Sequence, residues 1–71
     1  MTITFGVQVK TLRAVRGMSQ AELAAQIGVA QALLSHIETG RVMPTPELEQ
    51  RIREALDWPR EADRAFAIFA R

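Results

Sequence analysis

The stretch SQAELAAQIGVAQALLSHIETG, residues 19–40, decides how this chain folds. It begins with Ser19 and has Glu22 three residues later, which is the spacing of a capping box that starts a helix. Gly28 can adopt a left-handed backbone conformation without steric cost, and such a conformation commonly ends a helix. A second helical pattern follows after only two further residues, so the two helices must cross steeply. The stretch therefore predicts two short helices held at a fixed angle.

Side chains along this stretch have the sizes and polarities that such a crossing needs. Ala24 is small, as required where the two helices approach each other. Apolar residues occupy the five positions that face inward, namely Leu23, Ile27, Val29, Leu34 and Ile37. Polar side chains point outward from the second of these helices, which is predicted over residues 31–39. All of these features in register predict a helix-turn-helix rather than an ordinary helical hairpin.

Three more helices are predicted around this pair. Thr4 can cap a first helix that Gly17 closes. Thr45 and Pro46 begin a fourth helix, because a threonine cap followed by proline is a common helix start. A fifth helix is predicted at about residues 59–70, after a break that contains proline. The chain is thus predicted to be an all-α protein of five short helices around one core.

Length and composition exclude most other functions. The chain has 71 residues, one histidine and no cysteine. This is enough for a single domain over residues 1–71, and it excludes disulfides, thiolate zinc sites and multi-histidine metal sites. No apolar run approaches the roughly 20 residues of a membrane span. Ser35 and His36 are adjacent on one helix and point in different directions, so they do not form a catalytic pair. We expect a soluble, cytoplasmic binding module that is not an enzyme and needs no metal or cofactor.

Charge is distributed unevenly along the chain. The net charge is +1, but the part before Pro44 carries four basic and two acidic residues, whereas the remainder carries five and six. A mildly positive first part is compatible with a surface that faces phosphate, and it is also common in proteins that never bind nucleic acid. Charge alone is therefore weak support for DNA binding.

Residues 5–56 resemble the Xre and Cro-like, lambda-repressor-like helix-turn-helix family. The resemblance is carried by the Ser19-Gln20 pair, the acidic-leucine-alanine run at 22–24, the Gly28-Val29 turn, Gln31 at the start of the third helix, and the segment LSHIETGR at 34–41. It implies a compact five-helix lambda-repressor-like domain with the helix-turn-helix at helices two and three. It also implies sequence-specific DNA binding, usually as a dimer and usually in transcriptional regulation.

Three departures from the family pattern fall on or next to the third helix. Ala30 stands where a serine or threonine commonly caps that helix, and losing such a cap typically costs about 1 kcal/mol. Ala32 and Leu33 are apolar where many relatives carry polar contacts, and His36 replaces a common arginine. These differences affect how DNA is read and leave the predicted fold unchanged.

The third helix is predicted to enter the major groove of DNA, which is wide enough for an α-helix. Gln31 is the leading candidate for a base contact, because a carboxamide can donate to N7 of adenine and accept from its N6 amino group. Ala32 can present a methyl group to thymine. Ser35 and His36 lie one turn further along and can meet base edges or phosphates. The alternative for each of these four residues is a side chain that only faces solvent.

Phosphate contacts are predicted at Gln20, Arg41 and Arg16. Gln20 lies at a helix N-terminus, where free N–H groups and the positive end of the dipole suit anions, and the resemblance assigns it a phosphate contact. Arg41 follows the third helix and Arg16 belongs to the first, and both can also be part of a solvated charged face. Glu38 would repel phosphate, so we expect it to pair with a neighbouring arginine.

Three of the four aromatic residues lie in the last 14 residues, at the predicted fifth helix and the break before it. Trp58, Phe66, Ile68 and Phe69 are predicted either to close the core or to form a dimer interface. Dimerisation would place two recognition helices about 34 Å apart, so that a palindromic site is read twice.

Together these features predict a homodimeric, non-enzymatic regulator that binds double-stranded DNA, most simply a repressor of a palindromic operator. The alternative is an antitoxin or another partner-binding protein with the same fold. In that case the C-terminal helix would dock a different protein, such as a toxin or an inducer protein, instead of a second copy of the chain.

Overall fold

Helices make up the regular structure of residues 4–58, the part of the chain that the computed structural model describes. They are α1 (Phe5–Val15), α2 (Gln20–Ile27), α3 (Gln31–Glu38) and α4 (Pro46–Ala55). No strand occurs in these residues, so the predicted all-α class is confirmed. The predicted fifth helix, at about residues 59–70, lies outside the described residues.

Threonine caps start α1 and α4 as the sequence predicted. The Thr4 hydroxyl accepts a hydrogen bond from the backbone N–H of Val7 at 3.3 Å, and the Thr45 hydroxyl accepts one from Leu48 at 3.2 Å. Pro46 follows the second cap at the first helical position, where its missing N–H needs no partner. Each cap satisfies a backbone donor that the helix itself leaves unpaired.

The predicted capping box at the start of α2 is present in full. The Ser19 hydroxyl accepts from the backbone N–H of Glu22 at 3.0 Å, and the Glu22 carboxylate accepts from the backbone N–H of Ser19 at 3.1 Å. The hydrogen bond from the Ser19 backbone N–H to the Glu22 carboxylate lowers the pKa of Glu22 below its ordinary value. The Ser19 side chain adds a smaller effect in the same direction. The carboxylate is therefore favoured in its charged form at the positive end of the helix.

Glycines end the two central helices where the sequence placed them. Gly28 has a φ of 76° and closes α2, and Gly40 has a φ of 81° beyond α3. The predicted end of α3 at Thr39 is one residue too long, because Thr39 is the C-cap and the helix ends at Glu38. At the other end of α3, Ala30 forms no side-chain cap, as expected for alanine.

The core lies where α2 meets α3 and α4, and α1 packs against α3. Its buried apolar side chains come from all four helices and the residue after α4: Val9, Leu12, Leu23, Ala24, Ile27, Leu34, Ile52 and Leu56. Of the five positions predicted to face inward, Val29 is only partly buried and the other four are buried. The pattern of apolar residues therefore predicted the packing of the helix-turn-helix correctly.

Close contact between α1 and α3 depends on Gly6. A Cβ atom at this position would lie 2.3 Å from the carbonyl oxygen of Ile37 and 2.7 Å from that of Glu38. Gly6 thus allows the start of α1 to lie directly on the last turn of α3. The four helices described within residues 4–58 include none that is long and apolar enough to cross a membrane.

Candidate nucleic-acid interface

Helix α3 has one face in the core and the other in solvent. Leu34 and Ile37 anchor it from below, with relative exposures of 0% and 2%. Gln31, Ala32 and His36 are exposed on the opposite side. The core therefore fixes the orientation of the helix while its outer surface stays accessible.

The two remaining side chains near this outer surface are less accessible. Ser35, the fourth predicted base contact, is half-buried on α3, and so is Leu33. The partial burial of Leu33 is more typical of a side chain that packs between helices than of one that is available to contact DNA. Gln31, Ala32 and His36 are exposed on α3, and Ser35 on the same helix is half-buried.

Gln20 and Gln31, the first residues of α2 and α3, are in contact. The side-chain Nε2 of Gln31 donates a hydrogen bond to Oε1 of Gln20 at 3.3 Å. Gln20 was predicted to contact phosphate and Gln31 to contact a base, and the structure places the two amides side by side. Sequence reasoning missed this contact, because Gln20 begins α2 at the end remote from the turn that leads into α3.

The polar contacts continue inward from Gln20 to a buried ion pair. Nε2 of Gln20 donates to Oε1 of Glu38 at 3.2 Å. Arg13 donates to the same carboxylate through Nε at 2.9 Å and Nη2 at 3.1 Å, and its Nη1 donates to the backbone carbonyl of Met18 at 3.0 Å. The expectation that Glu38 pairs with a neighbouring arginine is confirmed. We call Arg13, Glu38, Gln20 and Gln31 the polar chain.

The two arginines predicted to contact phosphate lie in different surroundings. Arg41 is exposed in the loop that follows α3, and its backbone N–H donates to the carbonyl of His36 at 2.8 Å. Arg16, at the end of α1, directs its guanidinium to α4, where it donates to the backbone carbonyls of Leu56 and, at 2.9 Å, Asp57. Arg16 thus caps the C-terminal end of α4, a role that the sequence did not indicate because the partners are about 40 residues apart.

Trp58, one of the four predicted interface residues, packs within its own chain. Its ring stacks on Phe5 with centroids 5.6 Å apart, and the guanidinium of Arg53 lies 4.6 Å from the Trp58 ring centroid. Trp58 remains partly exposed. The other three residues predicted for the interface, Phe66, Ile68 and Phe69, lie outside the described residues.

Comparison with known families agrees with this geometry. The family model described as "Helix-turn-helix domain" matches residues 4–66, which is most of the chain. The chain belongs to the helix-turn-helix domain family. This match includes residues 5–56, and it is consistent with their resemblance to the Xre and lambda-repressor-like group. No solved structure matches the chain.

In DNA-binding proteins with a helix-turn-helix, the second helix of the motif enters the major groove. In this chain α3 occupies the position of that second helix. It begins with Gln31 and is joined to α2 by a turn closed at Gly28. The accessible groups along it are an amide, a methyl group and an imidazole, with the positive charge of Arg41 just beyond its end. This arrangement can offer hydrogen bonds and apolar contacts to base edges and a cation to a phosphate.

Proposed function

We propose that this helix-turn-helix domain is a sequence-specific DNA-binding transcriptional regulator. It acts as a repressor, as a homodimer on a palindromic operator, with α3 in the major groove. The observation that carries the proposal is the division of α3 into a face anchored by Leu34 and Ile37 and an exposed face with Gln31, Ala32 and His36. A helix supported in this way can lie in the groove without any change in the packing of the domain.

Base recognition is assigned first to Gln31. Its amide carries both a donor and an acceptor, which matches N7 and the N6 amino group of adenine in the major groove. Ala32 adds a methyl group that can contact thymine, and Ser35 and His36 extend the contact along the helix. Because the side chains of Ser35 and His36 are polar, they can meet either base edges or phosphates.

Phosphate contacts are assigned to Gln20 and Arg41, which lie at the start of α2 and after the end of α3. Such contacts hold the domain in register on the duplex, while base contacts provide the specificity. Arg16 can add a phosphate contact only through N–H groups that Leu56 and Asp57 leave unused. We therefore expect Arg41 to contribute more to affinity than Arg16.

A homodimer follows from the size of the site. One small domain reads too few base pairs for typical specific affinities of about 10⁻⁸ to 10⁻¹¹ M, whereas two copies read both halves of a palindrome. We assign the interface to Trp58, Phe66, Ile68 and Phe69. A regulator of this kind works in the cytoplasm and carries out no chemical reaction.

Selection of bound sequences from a random duplex pool tests this function. We expect a palindrome whose half-sites are about 34 Å, or one turn of duplex, apart from centre to centre. The variant Gln31→Ala should then lose about 1 to 3 kcal/mol of binding free energy on the selected site and almost none on random DNA. An equal loss on both kinds of DNA would show that Gln31 does not read a base.

Sedimentation of the chain without DNA separates the dimer from the alternative. A species of twice the chain mass of 7.9 kDa supports the homodimer. A monomer that also selects no DNA sequence would contradict the proposal. It would favour instead an antitoxin or similar protein whose C-terminal segment docks a different protein.

A further inference from the structure

We propose that Glu38 is a positioning residue for base recognition, because its carboxylate fixes which way the amides of Gln20 and Gln31 point. The inference rests on the proposed function and adds a determinant of its specificity. Glu38 itself does not reach the exposed face of α3, since its relative exposure is 7%. It acts through the polar chain that ends at Gln31.

A carboxylate can only accept hydrogen bonds. This property sets which group donates and which accepts at each step of the polar chain. Arg13 donates to both oxygens of Glu38, and Gln20 donates to Oε1 through Nε2 at 3.2 Å. If the Gln20 amide were reversed, its carbonyl oxygen would face the carboxylate, and two acceptors would repel each other. Gln20 must therefore direct its nitrogen inward and its oxygen outward.

The outward oxygen of Gln20 then orients Gln31. Oε1 of Gln20 accepts from Nε2 of Gln31 at 3.3 Å, so the Gln31 amide cannot reverse without losing that bond. One N–H of Gln31 is used by Gln20, which leaves one N–H and the carbonyl oxygen for DNA. The carboxylate of Glu38 thus determines which hydrogen-bonding groups Gln31 presents.

These remaining groups favour adenine over guanine. Adenine presents one acceptor and one donor in the major groove, and Gln31 has one donor and one acceptor free to meet them. Guanine presents two acceptors, N7 and O6, and would need both N–H groups of the amide. With one N–H held by Gln20, Gln31 cannot supply both and keep the polar chain intact.

The test is the ratio of affinities for two duplexes that differ only by adenine or guanine at the base pair read by Gln31. In Glu38→Gln, the new amide can donate to or accept from Gln20, so the orientation of the Gln20 amide is no longer fixed. We expect the adenine-to-guanine ratio to fall about tenfold, since a good bidentate contact provides discrimination of that order. Any accompanying change in the phosphate contact of Gln20 affects both duplexes alike and cancels in this ratio.

Arg13→Lys is the matched control, because it weakens the same buried pair but leaves the carboxylate in front of Gln20. It should lower stability and keep the adenine-to-guanine ratio. Gln20→Met leaves the Arg13–Glu38 pair intact but removes the hydrogen bonds that connect Glu38 to Gln31. It should therefore lower the adenine-to-guanine ratio as Glu38→Gln does. The double variant of Glu38 and Gln20 should lose no more than either single variant, because both changes remove one coupling.

The outcomes separate this inference from the proposed function. A wild-type chain that selects no DNA sequence would overturn the function, and the inference with it. A selective wild type with an unchanged ratio in folded Glu38→Gln would overturn the positioning role and leave the function standing. If Glu38→Gln does not fold, nuclear Overhauser effects measured in the wild type test the orientation of the Gln20 amide instead. They must place the Nε2 protons of Gln20 next to Glu38, and the reverse orientation would overturn the proposal.

Discussion

Two arginine–glutamate pairs in this domain have similar geometry and very different surroundings. Arg13 and Glu38 join α1 to α3 at 2.9 Å, and their side chains are 15% and 4% exposed. Arg53 and Glu49 lie one turn apart within α4 at 3.1 Å, and their side chains are 29% and 38% exposed. The first pair connects separate elements beneath the candidate interface, whereas the second joins neighbours along one helix at the surface.

Burial, more than distance, determines how costly it is to remove one partner of an ion pair. Removing one partner of a buried pair leaves a charge without water or a counter-charge, which is costly. Removing one partner of an exposed pair lets water take its place, and the loss is small. Arg53 also lies 4.6 Å from the ring centroid of Trp58 and 5.5 Å from that of Phe5, and these contacts do not involve its carboxylate partner.

The largest expected effect is the loss of stability in Glu38→Ala. This change leaves the partly buried Arg13 guanidinium with the Met18 carbonyl as an acceptor but without a counter-charge. We expect a loss of about 3 kcal/mol in the free energy of unfolding, the lower end of the range for breaking a buried pair. Urea unfolding followed by circular dichroism measures it. Glu49→Ala is the control and should lose only about 0.3 to 0.5 kcal/mol. Similar losses in the two variants would show that burial does not distinguish the pairs.

A second change breaks the α1–α3 junction without altering any charge. Gly6→Ala would place a Cβ atom 2.3 Å from the Ile37 carbonyl oxygen, so the backbone of α1 or α3 must move. We expect a loss of about 1 to 3 kcal/mol, the usual cost of overpacking. The neighbouring Val7→Ala is the control, because Val7 is exposed on the same helix. It should change stability by less than about 0.5 kcal/mol, and an equally stable Gly6→Ala would contradict the close approach.

Local features of this fold were predictable from the sequence, and contacts between distant residues were only partly so. The caps at Thr4, Ser19 and Thr45 depend on residues three positions away, so their spacing alone revealed them. The glycine that ends α2 is equally local. The apolar pattern also predicted the buried face of the helix-turn-helix, where four of the five predicted inward positions are buried, because that face follows from helical periodicity.

The long-range polar contacts required the relative placement of the helices. The sequence indicated that Glu38 pairs with an arginine, but Arg13 is 25 residues away and only the packing of α1 on α3 identifies it. The same packing explains the demand for glycine at position 6, which no local pattern shows. Arg16 was assigned to phosphate because it is a cation on α1, whereas its carbonyl partners became visible only once α4 was in place.

The smallest expected effect concerns an exposed carboxylate, and it sharpens the contrast with Glu38. Hydrogen bonds from Ser19 lower the pKa of Glu22 below its ordinary value of 4.5. A carboxyl group with a lowered pKa in the folded state stabilises that state above its unfolded pKa, and this contribution is lost as the pH falls through the folded pKa. Stability should therefore decline in acid partly through Glu22.

Glu22→Gln isolates this contribution, because glutamine can occupy the same place in a capping box but has no proton to lose. The urea midpoint of the variant should fall less than that of the wild type between pH 7 and acid pH, below the ordinary glutamate pKa of 4.5. Glu54→Gln, which changes an exposed carboxylate that accepts a hydrogen bond from the side chain of Gln50, serves as the control. It should reproduce the wild-type dependence on pH. If both variants behaved alike, net charge rather than the capping box would account for the acid response. The position of Glu22 in the capping box would then have no effect on the pH dependence of stability, in contrast to the role proposed for Glu38.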